Sequence, residues 1–208
     1  MKAQGCILFS LILTILAGCT DDYDLQKSVF IKDRQFAELP AYSEWGYNTF
    51  GAYYGNEVFL SNDYLIPARV IAGDNSMAFM LTGQKGPSDD YSGNNEMTLT
   101  FLLNGYSPVY YQDLTVFNDS IIDLRNPAWQ VVITIGAMEY TVDLLSGELE
   151  FKRVQHLLVD KSPMEVIMSG YFEFQGSLNG NPISVTHGRF DVGIDGGNFN
   201  RLASTGPR

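Results

Sequence analysis

From Trp45 onward, apolar and polar residues alternate with a period of two in short runs rich in β-branched and aromatic side chains. Gly, Asn and Asp interrupt the runs at spacings of about eight to twelve residues, the rhythm of successive β-strands. Residues 48–54 and 57–60 flank Gly55-Asn56, and 69–72 and 76–82 flank Gly73-Asp74-Asn75, segments able to take the positive φ of tight hairpin turns. Further strands are predicted over 96–103, 109–117, 120–124, 129–135, 139–145 and 148–154. Met97, Leu99, Phe101 and Leu103 share one face of their strand, as do Trp129, Val131, Ile133 and Ile135, and Tyr140, Val142 and Leu144. These faces are expected to line the core. Near the end, Val166, Met168, Gly170, Phe172 and Phe174 of 164–175 face one way, and so do Gly188, Phe190, Val192 and Ile194 of 183–194. Asn179-Gly180 between them predicts a long antiparallel hairpin. The pattern as a whole predicts an all-β fold, an antiparallel β-sandwich or β-barrel of about ten strands, in which layering or closure disposes of exposed strand edges.

The first residues follow another pattern. Lys2 precedes an apolar run over 6–17 that ends in Leu16-Ala17-Gly18-Cys19. A run of about 12 residues at ~1.5 Å each reaches about 18 Å, too short for a hydrocarbon layer of ~30 Å. A basic start, a short apolar core and small residues before a cysteine form a lipoprotein signal peptide. The expected organisation is a signal peptide over 1–18, a lipidated Cys19 with a polar tether over 19–44, an all-β domain over 45–195 and a flexible tail over 196–208. Asp21, Asp22 and Asp24 directly behind the cysteine read either as a solvated linker or as a signal for display on the outer face of an outer membrane. The expected location is the outer membrane, at the cell surface, held by the lipid on Cys19.

Composition narrows the function. The chain has 13 basic against 24 acidic residues and a formal net charge of −11, and loss of Lys2 makes the processed chain more negative still. Phosphate binding needs concentrated Lys and Arg, so nucleic acid is not an expected partner. Cys6 leaves with the signal and Cys19 carries the lipid, which excludes a thiol nucleophile and a zinc-thiolate site after processing.

In the terminal hairpin, Gly170-Tyr171-Phe172-Glu173-Phe174 and Thr186-His187-Gly188-Arg189-Phe190-Asp191-Val192 resemble the paired GxFxF and TxGxFxV strands of uncharacterised Bacteroidota-type outer-membrane surface lipoproteins, assigned to domains of unknown function. Asn48-Thr49-Phe50-Gly51-Ala52 resembles the opening of such domains. The resemblance covers roughly a tenth of the chain. It implies a lipid-anchored all-β domain with no established activity and transfers no catalytic residue.

Candidate chemistry is sparse. His156 and His187 have no companions at metal-ligand spacing, and His187 falls on the polar face of its strand with Arg189 and Asp191, an arrangement suited to cross-strand pairing. There is no Gly-x-Ser-x-Gly elbow, His-Glu-x-x-His helix or phosphate-cradling loop. Glu57, Asp63, Asp113, Asp119, Asp123 and Asp143 are eligible for a carboxylate pair of the glycosidase kind. Residues 88–96 and 191–198 gather oxygen ligands around glycines as calcium loops do, without EF-hand order. Trp45, Tyr53, Tyr54, Tyr106, Tyr110, Tyr111 and Trp129 offer flat amphipathic faces for a sugar ring or a protein partner, with Trp129 and Tyr54 expected in packing and Tyr106 exposed at a turn. A ligand cavity inside a barrel is a further variant. The expectation is a non-enzymatic surface module that binds a glycan, small ligand or partner protein, with no catalytic residue, metal or cofactor assigned. A glycan-active hydrolase with paired carboxylates and an accessory subunit of an outer-membrane complex are the alternatives.

Overall fold

The computed structural model describes residues 28–62, 66–86, 95–159 and 162–202. Cys19 and the aspartates behind it lie outside the described residues.

Alternation becomes twelve strands: β1 (Thr49–Tyr54), β2 (Glu57–Ser61), β3 (Ala68–Ala72), β4 (Ser76–Lys85), β5 (Glu96–Asn104), β6 (Ser120–Asp123), β7 (Trp129–Ile135), β8 (Met138–Thr141), β9 (Asp143–Val159), β10 (Ser162–Leu178), β11 (Asn181–Ile194) and β12 (Phe199–Arg201). The fold is all-β. Ten strands form one curled antiparallel sheet, a half-barrel, in the order β6-β9-β10-β11-β1-β2-β4-β5-β7-β8. β3 continues the flank of β4 next to β2 and also pairs in parallel with β12. The two ends of the path are close along the chain. β8 passes into β9 through Val142 alone, whose N–H still donates to Val131 O.

The Asn-Gly signal holds: Asn179 and Gly180 have φ of 52° and 80° and join β10 to β11, as a type I′ turn requires. Other expectations shift. The strand predicted over 109–117 is instead a 3₁₀ helix, Tyr111–Phe117. The Asp113 carboxylate accepts from the Val109 and Tyr110 N–H groups and starts the turn. Leu114 and Phe117, three residues apart and therefore on one face of such a helix, are then buried. The break expected at 146–147 is also absent, because Gly147 sits within β9 opposite Phe174. A β-carbon there would lie 2.6 Å from Phe174 Cβ, so this glycine serves close packing and not a turn.

Phenylalanines fill the concave side. Phe50, Phe59, Phe79, Phe101, Phe117, Phe151, Phe172, Phe174 and Phe190 are all essentially inaccessible. Phe79 and Phe151 lie 5.6 Å apart, Phe79 and Phe190 5.2 Å, and Phe117 and Phe151 5.1 Å between ring centroids, in tilted pairs. Such pairs add about 0.5–1.5 kcal/mol each beyond their area. This interior is a packed core where a ligand cavity was one of the expected variants.

Order begins earlier than Trp45. Residues 28–48, expected largely as tether, run as a strap over the convex face of β10, β11 and β1. Val29 N–H donates to Tyr47 O, Lys32 bridges Pro40, and Leu39 is fully buried. Order also extends past residue 195, since β12 pairs with β3 inside the expected tail.

Candidate functional site

β11 carries one residue more than either neighbour. Phe172 pairs with Gly188 and Phe174 with Val185 on one side, while Gly51 pairs with Arg189 and Tyr53 with Thr186 on the other. The surplus is a β-bulge at His187, whose φ of 54° lies in the left-handed region. A bulge re-aims its side chain, and His187 is exposed on the convex face. Its ring lies 4.2 Å from that of Phe36 in the strap and 6.0 Å, edge-on, from Tyr53.

The sheet register builds a groove beside this bulge. Asp123, Glu148 and Glu173 are consecutive cross-strand partners on β6, β9 and β10. The next row outward is Ile121, Glu150, Tyr171 and Arg189 on β6, β9, β10 and β11. The resulting depression of about 230 Å³ is lined by Glu148, Glu150, Tyr171, Glu173 and His187. It is continuous, through Glu148 and Glu173, with one of about 350 Å³ that reaches Asp123, Arg125, Gln175 and Thr186. Glu148 and Glu173 are like charges side by side, an arrangement that costs stability in a sheet. Lys152 reaches Glu150 at 3.3 Å, and Arg125 clamps Asp123 with bonds of 2.9 and 2.7 Å. Those bonds hold the Asp123 carboxyl down at about 2.

The strap packs beside the groove, against Tyr171 and His187. Tyr42 stacks on Tyr171 at 4.6 Å and donates to Glu44 at 2.9 Å. Burial raises both tyrosines above their ordinary range, with the Glu44 carboxylate adding to the effect on Tyr42. Arg189 is buried beneath the strap and pairs with Asp33 at 2.7 Å under the ring of Phe36. The Asp33 carboxyl is lowered, first by the Phe36 N–H and also by Gln35 N–H and Arg189, against the opposing cost of burial. Asp191, equally buried, accepts from Ser43 Oγ, from the N–H groups of Trp45 (3.2 Å), Gly46 (2.8 Å) and Tyr47 (3.2 Å), and from Ser169 Oγ (3.0 Å). This carboxylate is a clasp for the strap.

The residues singled out from sequence are dispersed. His156 lies exposed on β9, opposite Val166, away from the bulge that carries His187. Tyr53 joins the His187 cluster and donates to Glu38 at 3.3 Å. Tyr54 packs on the core under Lys85. Tyr106 was expected at an exposed turn but packs on Phe117 at 4.6 Å. Tyr111 and Trp129 are also core-packed, Trp129 Nε1 donating to Asn104 O, whereas Trp45 and Tyr110 are 73% and 66% exposed. Among the eligible acids, Glu57 pairs with Lys85 at 2.8 Å, Asp113 starts its helix, Asp119 takes the positive φ of a turn, Asp123 holds Arg125 and Asp143 accepts from Ser177. Asp63 lies outside the described residues, as do 88–94 of the first oxygen-rich loop. In the second, Asp191 is occupied by its five donors. Glu148, Glu173 and Tyr171 were not selected from sequence. The signal for them was the polar side of the same alternation that identified Phe172 and Phe174 as core.

Among the described residues no group of three or more His, Cys, Asp and Glu is placed to hold a metal ion, and no helix is long and apolar enough to cross a membrane. No protein-family model, curated protein or solved structure matches the chain.

Proposed function

We propose that the protein is a lipid-anchored, surface-displayed binding module of the outer membrane, and that the convex groove beside His187 holds a hydroxyl-rich ligand such as a glycan. The observation that carries the reading is the composition of that groove. Tyr171 and His187, each packed on one side against a strap ring, line it next to Glu148, Glu150 and Glu173, whose oxygens accept hydrogen bonds from hydroxyl groups. The filled interior favours the outside as the place of binding. Glu148 and Glu173 stand side by side on one sheet face and not across a cleft, which favours binding over the paired-carboxylate hydrolase. The Leu16-Ala17-Gly18-Cys19 sequence and the resemblance of the terminal hairpin support the anchor and the location. The row of carboxylates supports a second ligand class, a cationic partner.

The test is a glycan array probed with the full chain in mild detergent, alongside Glu173→Gln and Tyr171→Ala. Saturable glycan binding that both variants weaken about tenfold is expected. Binding only to cationic ligands, lost as salt rises above about 0.15 M, would replace the glycan reading with the electrostatic one.

A further inference from the structure

One carboxylate on the convex face is left without a partner. Glu165 on β10 is 5% exposed, and among the described residues no hydrogen-bond donor or basic side chain reaches it. Its side chain lies across Gly193 of β11, where a β-carbon would collide with Oε2, and a β-carbon on Gly46 of the strap would sit 3.1 Å from Oε1. Glycine at 193 is therefore what admits this carboxylate between strap and sheet. One step beyond the last ladder pair, Val166 with Ile194, the residue facing Glu165 is Asp195. A buried acid thus stands opposite a second acid, with no basic side chain paired to either among the described residues.

Both line a cavity of about 20 Å³, together with Asn48, Ile66, Pro67, Gly193 and Asn198. That is room for about one water molecule or ion. The surrounding amides hold the walls. Asn198 Nδ2 donates to Ala68 O and Gly193 O, its Oδ1 accepts from Asp195 N–H, and Asn48 Oδ1 accepts from Gly193 N–H. Asp195 Oδ1 accepts from Gly197 N–H, while no donor to its Oδ2 is present among the described residues. Asp191, two residues before Gly193 on β11, adds negative potential, but its own oxygens are taken by the strap and by Ser169.

We infer that the gap between Glu165 and Asp195, where β11 leaves β1 and turns into β12, is a binding site for a single hard cation of the calcium type. Hard cations are held by carboxylate and carbonyl oxygens with water completing the shell. Here the two carboxylates are fixed from both sides before any ion arrives. The raised affinity of Glu165 for a proton, caused first by burial and then by Asp195 and Asp191, is the same unmet demand for positive charge. Of the two oxygen-rich segments read from sequence, 191–198 supplies only Asp195 to this site. Its main ligand comes from β10.

The site is independent of the groove, so its test does not depend on the glycan reading. Full chain stripped with EDTA is titrated with calcium chloride at pH 7.5 in a calorimeter, and Tm is followed in parallel. A saturable heat in the wild type, with Tm raised by about 3–6 °C at tenfold excess over Kd, is expected. Glu165→Gln and Asp195→Asn should each remove the calcium response, and Glu165→Gln should raise Tm of the stripped protein at this pH. Asp195→Asn keeps the test open if the first variant folds poorly. No heat in the wild type, or equal heat in wild type and variants, overturns the site and leaves Glu165 as a proton acceptor only.

Discussion

β5 and β11 run on opposite sides of the sheet and obey different rules. Along β5 every second residue is buried, Met97, Leu99, Phe101 and Leu103 facing the core while Thr98 and Thr100 remain half-exposed. Along β11 the last seven residues are all buried, polar ones included. The difference is the strap. Its chain covers the convex face of β11 and brings a matched partner to each polar side chain there, Asp33 to Arg189 and three N–H groups with Ser43 to Asp191. A charge can be buried only when such partners are present. Glu165 is the exception on that covered face.

The largest effects break this contrast directly. Phe190→Asp and Phe101→Asp both place an unpaired carboxylate in the aromatic core, at a cost of several kcal/mol against a total stability of about 5–15 kcal/mol, and both should prevent folding. Their outward neighbours should differ. Arg189→Asp strands Asp33 beside a second acid under the strap and should cost about 3–5 kcal/mol, whereas Thr100→Asp, half-exposed, should cost about 1 kcal/mol or less. From alternation alone Arg189, on the polar face, would tolerate the change. Urea denaturation of the four variants decides, and equal small losses at 189 and 100 would mean that the strap does not cover β11 in solution.

Asp191→Ala comes next. It leaves the N–H groups of Trp45, Gly46 and Tyr47 and two hydroxyls without their acceptor, an expected loss of about 3 kcal/mol. It should also free the strap. Hydrogen exchange at 45–47 should accelerate while β5 stays protected, and uniform acceleration would count against a local clasp.

The smallest effect is set by pH. Burial and the neighbouring Asp195 and Asp191 push the Glu165 carboxyl up to about 7. In the folded chain it therefore keeps its proton where the unfolded chain has lost it. Its stabilising contribution is complete below the ordinary carboxyl range and is lost as pH rises through about 7, a change of about 1–2 kcal/mol once solvent screening is allowed for. The lowered Asp33 and Asp123 carboxyls act in the opposite sense but titrate in more acidic solution. In EDTA, the wild type should lose stability between pH 5.5 and 8.5 and Glu165→Gln should not. Parallel profiles for the two would show that Glu165 is solvated.

The sequence by itself determined the elements whose signals are local. Alternation over 97–103, 129–135 and 166–174 marked core faces because a strand exposes successive side chains to opposite environments, and Asn179-Gly180 marked a turn because the backbone there needs positive φ. The 3₁₀ helix was missed because Tyr111, Leu114 and Phe117 satisfy a period of three within a segment also rich in strand-forming residues. Tertiary structure alone decided the rest. The strap reads as a tether, since its apolar residues, Val29, Phe30, Ile31, Phe36 and Leu39 among them, follow no strand alternation, and its place is fixed by long-range bonds to Asp191 and Arg189. The bulge at His187 depends on unequal residue counts in three strands, which no one of them encodes. The groove and the Glu165 gap lie on faces that register places next to each other, because the distance between two carboxylates on different strands is fixed by pairing and not by their separation along the chain.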